Sequence, residues 1–270
     1  MALINDIAAA VTAVRDKSPL VHCITNYVTV NDCANALLAI GASPIMADDI
    51  DEVEDITSIS SALVINIGTL NSRTIKSALA AGKKANVLNI PVVLDPVGAG
   101  ASRLRNEAVS KLLAEVKMSV IRGNLSELAF ISGLEVSTKG VDSSEADADK
   151  NPVWVAGRVA DMYGCTAAIT GAVDTISNGT SCVQLANGHK MLSSITGSGC
   201  LTSAMLGAFA AVSDGLTAAC GAILTTSVAG ERAYEKSGSL GTGSFHISLI
   251  DYISTTTADT ILSYAKITEV

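Results

Sequence analysis

Ala62-Leu63-Val64-Ile65-Asn66-Ile67 is followed, after Gly68-Thr69, by a helical run from Arg73 to Leu88 and then by Pro91-Val92-Val93-Leu94-Asp95. Neither apolar run alternates with polar residues, so neither predicts a strand with one wet face. Continuous apolar strands separated by helices describe a parallel sheet covered on both sides. The pattern extends upstream. Residues 5–16 repeat Ile7, Val11 and Val14 at helical spacing. Leu20 to Thr25 reads as a strand ending at Asn26, a helix passes through 34–40 to a stop at Gly41, and Pro44 to Ala47 is the next strand.

Downstream, the loop Gly98-Ala99-Gly100 leads to a helix from Leu104 to Val116. A strand from Ser119 to Gly123 and a short helix from Ser126 to Ile131 follow. Residues 134–152 read as an exposed loop. Val153 to Tyr163 restores a helix, and Thr166 to Thr170 a strand. Asp174 to Ser177, the dipeptide Asn178-Gly179, and Thr180 to Leu185 form a hairpin pattern, which adds antiparallel strands late in the sheet. Helices over 200–212, 216–235 and 244–264 close the chain. No linker or composition break interrupts the alternation, so the expectation is one domain over residues 1–270.

Polar residues gather where these strands end: Asn66, Asp95, and Arg122 with Asn124. In open α/β sheets that edge binds ligands. Composition limits what those ligands are. The chain is 49% hydrophobic and only 3% aromatic, so small apolar side chains do the packing. Its net charge of −8 and lack of basic runs argue against nucleic acid. The carboxylates between Asp48 and Asp55 read as a solvated first helical turn. The most apolar region, from Cys200 to Gly230, is interrupted by Ser213, Asp214 and several threonines and split at Gly215. Neither piece reaches the roughly 20 apolar residues of a membrane span. The six cysteines show no C-x-x-C and no Cys/His ligand spacing, which points away from zinc and from a disulfide scaffold. With no signal-like start, the expected location is the cytoplasm.

Ser194-Ile195-Thr196-Gly197-Ser198-Gly199-Cys200-Leu201 is the chemical centre of the sequence. A glycine loop opening into a helix aims free N–H groups at one spot, where the helix dipole favours negative charge. Cys200 then falls in the first turn. The plain alternative is a tight turn before a close-packed helix, and the stretch alone does not choose. There is no G-x-x-x-x-G-K-[ST], no early G-x-G-x-x-G and no G-x-S-x-G. Three histidines, with His189 read as a solvated loop residue, offer no triad. Phosphoryl transfer asks mainly for positioning and charge neutralisation. Asp95 and Glu127 are placed to hold a metal directly or through water, and Arg122 to meet phosphate oxygens. An Asp95–Arg122 ion pair at the sheet edge is the competing structural reading.

Several blocks resemble the hydroxyethylthiazole kinase family. They are Val21-His22-Cys23-Ile24-Thr25-Asn26-Tyr27-Val28, Gly41-Ala42-Ser43-Pro44-Ile45-Met46-Ala47, Asn66-Ile67-Gly68-Thr69-Leu70 and Leu94-Asp95-Pro96-Val97-Gly98-Ala99. Ile121-Arg122-Gly123-Asn124-Leu125-Ser126-Glu127, Ala168-Ile169-Thr170-Gly171, Thr196-Gly197-Ser198-Gly199-Cys200 and Gly241-Thr242-Gly243-Ser244-Phe245 continue the series in family order. The resemblance implies a ribokinase-like, three-layer α/β fold with a mostly parallel sheet, and an ATP- and Mg²⁺-dependent kinase of thiamine salvage. Its implied substrate is 4-methyl-5-(2-hydroxyethyl)thiazole, phosphorylated on the primary hydroxyl. It also implies a homotrimer with sites between subunits. Carried over by motif, Met46 and Gly197 match the thiazole side, with Asn26 as their neighbour; Arg122 and Thr170 match the nucleotide side, to which Gly199 is added, and Asp95 and Glu127 match the metal. Cys200 stands where broader relatives place an aspartate base. Ser198 replaces the more usual threonine and keeps its hydroxyl. The alternatives are a pyrimidine or pyridoxal kinase of the same fold, a nucleotide-dependent hydro-lyase, and a catalytically silent binding protein.

Overall fold

The computed structural model describes residues 2–134 and 151–270. The exposed-loop reading of 134–152 therefore falls almost wholly outside the described residues. Among those described, nine strands form one sheet in the order β2-β1-β3-β4-β5-β6-β7-β8-β9. They are β1 Leu20–Ile24, β2 Ser43–Ile45, β3 Ala62–Asn66, β4 Val92–Asp95, β5 Val120–Gly123, β6 Thr166–Ile169, β7 Asp174–Ser177, β8 Cys182–Leu185 and β9 Ile267–Glu269. From β2 to β6 every pairing is parallel, and from β6 to β9 every pairing is antiparallel.

Side chains alternate across a strand, and here both faces of the central strands are apolar. Val64, Val93 and Val120 enter one core with α1 (Ala2–Lys17), α2 (Val30–Ile40) and α8 (Ser198–Ala210). Leu63, Ile65, Val92, Leu94 and Ile121 enter the other, beneath α4 (Ser72–Val87), α5 (Arg103–Glu115) and α7 (Pro152–Tyr163). That two-sided burial is why the strand runs are continuous. Asn71 caps α4 through a box with Thr74, and Asn124 caps α6 (Leu125–Ile131) through a box with Glu127. The stop expected at Gly41 is a left-handed C-cap with φ +90°.

Three sequence readings change. The helix expected over 244–264 is two, α10 (Thr242–Ser254) and α11 (Ala258–Tyr264). They part at Thr255-Thr256-Thr257, where threonine hydroxyls turn back onto the carbonyls of Asp251 and Tyr252 and Thr257 starts the next cap. Beyond them β9 was not anticipated, since three residues are too short for a period. Of the acidic patch, only Glu54 and Asp55 lie in the first turn of α3 (Val53–Ile59); Asp48, Asp49 and Asp51 precede it, and Asp48 pairs with Arg73 at 2.9 Å.

Helix α8 lies close on the sheet. A Cβ on Gly207 would stand 2.5 Å from Val64 Cγ2 and 2.9 Å from Val21 Cγ1. Gly207→Val is expected to destabilise the fold by ~1–3 kcal/mol through overpacking. Urea unfolding checks it: the midpoint falls while the slope is kept.

Candidate active site

The parallel strands all end on one edge, and their last residues meet the start of α8. Asp95 closes β4 beside Asn66 of β3 in register. It is 1% exposed, and its Oδ2 accepts Asn66 Nδ2 at 2.9 Å and Ser203 Oγ at 2.8 Å. Burial pushes its carboxyl above the ordinary range. The Arg122 guanidinium, Ser203 and Asn66 oppose that rise, and the Glu127 carboxylate adds to it.

Arg122 Nη1 is 3.8 Å from Asp95 Oδ2, and its Nη2 donates to Thr170 Oγ1 at 2.7 Å. Its Nε is buried with no partner. The ion pair foreseen as the structural alternative thus exists, but it is long and leaves guanidinium donors free. The guanidinium lies close against Gly199, where a Cβ would sit 2.7 Å from Nη1. Gly199 is therefore a close-approach glycine.

Gly197 caps α8 in the left-handed region, φ +86°. A Cβ there would meet Thr29 Cγ2 at 2.7 Å. The first N–H groups of a helix have no partner within it, so this turn offers donors to an anion. Cys200, in that turn, accepts N–H from Asn26 Nδ2 at 3.2 Å and Asn66 Nδ2 at 3.3 Å. Asn26 is 4% exposed, with its oxygen held by the Thr29 N–H and hydroxyl.

Glu127 is engaged on both oxygens: Oε1 accepts Gly98 N–H and Oε2 accepts Asn124 N–H, each at 2.8 Å. Among the described residues no three or more His, Cys, Asp or Glu gather into a metal cage. Two neighbouring buried carboxylates fit Mg²⁺, which keeps most of its water and takes its remaining oxygens from one or two carboxylates and from substrate phosphates. Met46 stands apart, half-buried just beyond β2, one strand further out than Asn26. Its loop is pinned by His22, whose Nε2 donates to the Ala47 carbonyl at 2.8 Å while Nδ1 accepts the Thr57 hydroxyl at 2.9 Å. Burial lowers the His22 pKa, which keeps this tautomer neutral.

A cleft of about 500 Å³ opens beside Arg122, lined by Thr170, Asp174, Ser198, Gly199 and Thr226. Its far wall is tied together by Glu231, which accepts from Asn187 Nδ2, Gly188 N–H at 3.0 Å and Lys266 Nζ at 3.0 Å. His189, expected as a solvated loop residue, does lie in a loop but is half-buried: it stacks on Tyr234 with ring centres 3.6 Å apart and accepts the Met191 N–H. The sequence reading missed Asn66 and Ser203 as partners of Asp95, and Asp174 altogether. Ser203 falls one helical turn after Cys200, a spacing that would have placed it on the same face.

Residues 11–259 match the model of the hydroxyethylthiazole kinase family. A hydroxyethylthiazole kinase of Clostridium beijerinckii is 60% identical over 98% of this chain and 97% of that protein. One from Ruminiclostridium cellulolyticum is 58% identical over 98% of each. The structure of a hydroxyethylthiazole kinase from Pyrococcus horikoshii superposes with a TM-score of 0.89 at 39% identity, covering 98% of both chains. A pyridoxal kinase of Bacillus subtilis shares the fold, with a TM-score of 0.58 at 18% identity over 78% of this chain and 90% of that one.

Asp174, 5% exposed, accepts the Gly171 N–H at 3.0 Å, and burial pushes its carboxyl from 3.8 up to about 6. The raised value favours the protonated carboxyl in the folded chain. The stability it confers is fully present below 3.8 and is lost as pH rises through about 6. Asp174→Asn keeps the acceptor for Gly171 and removes the buried charge. It is expected to stabilise the fold by on the order of 2 kcal/mol at pH 8 and by nothing near pH 4, read by denaturant unfolding at the two pH values.

Proposed function

The chain belongs to the hydroxyethylthiazole kinase family, ATP-dependent phosphotransferases acting on a thiazole alcohol, and we propose how its own residues divide that work. The observation that carries the reading is the single hydrogen-bonded network in which Asn26, Asn66, Asp95 and Ser203 join Cys200 at the start of α8, with Arg122 beside the adjoining cleft. The cleft takes the nucleotide. Arg122, whose Nε has no partner, and Thr170 meet phosphate oxygens, and Gly199 lets the backbone approach them. The free N–H groups from Gly197 to Cys200 stabilise charge on the transferred group.

Cys200 faces the acceptor hydroxyl of 4-methyl-5-(2-hydroxyethyl)thiazole and takes its proton as the new O–P bond forms and ADP departs. In a loose transition state that proton leaves late, so an acceptor contributes about 10²–10⁴-fold and positioning does the rest. Asn26 serves the thiazole side through its bond to the Cys200 sulfur. Met46 lends a polarizable surface to the sulfur-containing ring. Asp95 and Glu127 would hold Mg²⁺ through water, since both carboxylates already accept protein donors. Such an ion would neutralise charge on the polyphosphate.

The assembly we propose is a homotrimer with shared sites. Tyr27 is 78% and Val28 58% exposed, directly before Thr29, whose methyl abuts Gly197; Leu240 and Ile247 are also exposed, at 74% and 68%. Apolar side chains of this size left open to solvent suit a subunit contact. One continuous sheet supports a single domain over 1–270. The six free thiols suit the cytoplasm, and no described helix is long and apolar enough to cross a membrane.

With Mg·ATP, ADP release is expected to depend on the thiazole alcohol. Release driven equally by pyridoxal or a pyrimidine alcohol, or turnover of a dehydratable substrate instead, would point to the other readings. Cys200→Ser is expected to lower kcat by roughly 10-fold or more with KM for the thiazole unchanged. A raised KM with kcat intact would remove Cys200 as proton acceptor. Gly197→Val is expected to abolish turnover, because its side chain meets Thr29 and forbids the left-handed backbone.

A further inference from the structure

Asn66 is buried at 6% exposure, and every hydrogen-bonding position of its amide is in use. Its oxygen accepts the Gly68 N–H at 2.9 Å and Asn26 Nδ2 at 3.1 Å. Its nitrogen donates to Asp95 Oδ2 at 2.9 Å and to Cys200 Sγ at 3.3 Å. The backbone N–H of Gly68 can only donate, so the amide cannot be turned round. Gly68 is itself held, its carbonyl accepting Arg105 Nη2 at 2.8 Å, while Arg105 Nη1 clamps the carbonyls of Ile67 and Val97 at 2.7 and 2.6 Å. Asn26 is oriented in the same way by the Thr29 N–H, so both amides present N–H and not oxygen to the sulfur.

We propose that Asn66 is a positioning residue for phosphoryl transfer, which acts by holding the Cys200 sulfur and the Asp95 carboxylate as one unit through a shared amide group. The proposal rests on the role given to Cys200 above. The amide does two things there. It keeps the sulfur in an acceptor geometry, with its open side toward the incoming hydroxyl. It also separates the sulfur from the Asp95 carboxylate by a neutral donor, so that one group does not take the proton or the place of the other. Nothing else among the described residues bonds to both.

The test is a double-mutant cycle on the full chain. Asn66→Ala removes all four bonds. Asn66→Asp keeps the oxygen that accepts Gly68 and Asn26 but donates nothing to Asp95 or Cys200. Both are expected to lower kcat at least tenfold, with KM for thiazole and ATP within threefold of the parent. In a Cys200→Ala background, Asn66→Ala is expected to cost less than threefold. A second readout does not involve turnover. Cys23, Cys33, Cys165 and Cys220 are buried and Cys182 and Cys200 are half-buried, so in a Cys182→Ser chain chloroacetamide reports Cys200. Its alkylation at fixed pH is expected to slow at least fivefold in both Asn66 variants.

Equal kcat losses in the two backgrounds, parental kcat in Asn66→Asp, or an unchanged alkylation rate would each overturn the proposal. Cys200→Ala with parental kcat would instead remove Cys200 as proton acceptor, and the alkylation rate would still decide whether Asn66 holds its sulfur.

Discussion

Helix α8 can reach the strand ends only because glycine stands at the points where it presses on them. At Gly207 a methyl group would overlap Val64 and Val21, at Gly199 it would overlap the Arg122 guanidinium, and at Gly197 it would overlap Thr29. Larger side chains would lift the helix off the sheet, and its free N–H groups would lose the company of Asp95, Asn66 and Arg122. The low aromatic content follows from the same constraint. A sheet with closely laid helices on both faces is filled by Ala, Val, Leu and Ile, as both cores show.

Burying so many polar groups at the strand ends is destabilising unless they satisfy one another. Most do. Asn26, Asn66, Asp95 and Ser203 form a closed series of donors and acceptors, and Glu127 is saturated by two backbone N–H groups. The exception beside the cleft is Arg122 Nε, buried and unpartnered. An unmet donor of this kind costs about 1–3 kcal/mol, and a phosphate oxygen at that place would recover it. The strand ends satisfy one another at Asn26, Asn66, Asp95 and Ser203 and leave a donor open at Arg122.

The sheet was legible because its signal is local. A strand covered on both faces is apolar at every position, and the residue at its end is visible as the first polar break: Asn66, Asp95, Thr170. The hairpin was legible from Asn178-Gly179, whose glycine has φ +89°. What escaped were contacts between distant residues. Asn66 and Cys200 lie 134 positions apart, and Asp95 and Ser203 lie 108 apart. No spacing rule connects such pairs. His189 beside Asn187-Gly188 has the local pattern of a solvated turn, and only the arrival of Tyr234 from α9 (Gly215–Ser237) makes it a stacked residue. Asp174 has the pattern of a strand start, and its carboxyl is made less acidic by burial that the whole fold imposes.

Asp95 and Arg122 also show why an ion pair and a ligand site need not compete as explanations. A guanidinium fully paired with a carboxylate would have to break that pair to bind phosphate, and the energy of one bond would be spent on losing the other. At 3.8 Å, with Ser203 and Asn66 supplying the short bonds to Asp95, the carboxylate is held without Arg122. The guanidinium is held in turn by Thr170 and by its close approach to Gly199. Each charge therefore has its own support, and the attraction between them steers without binding. A phosphate oxygen placed there would meet a cation already in position, at no cost in a broken bond.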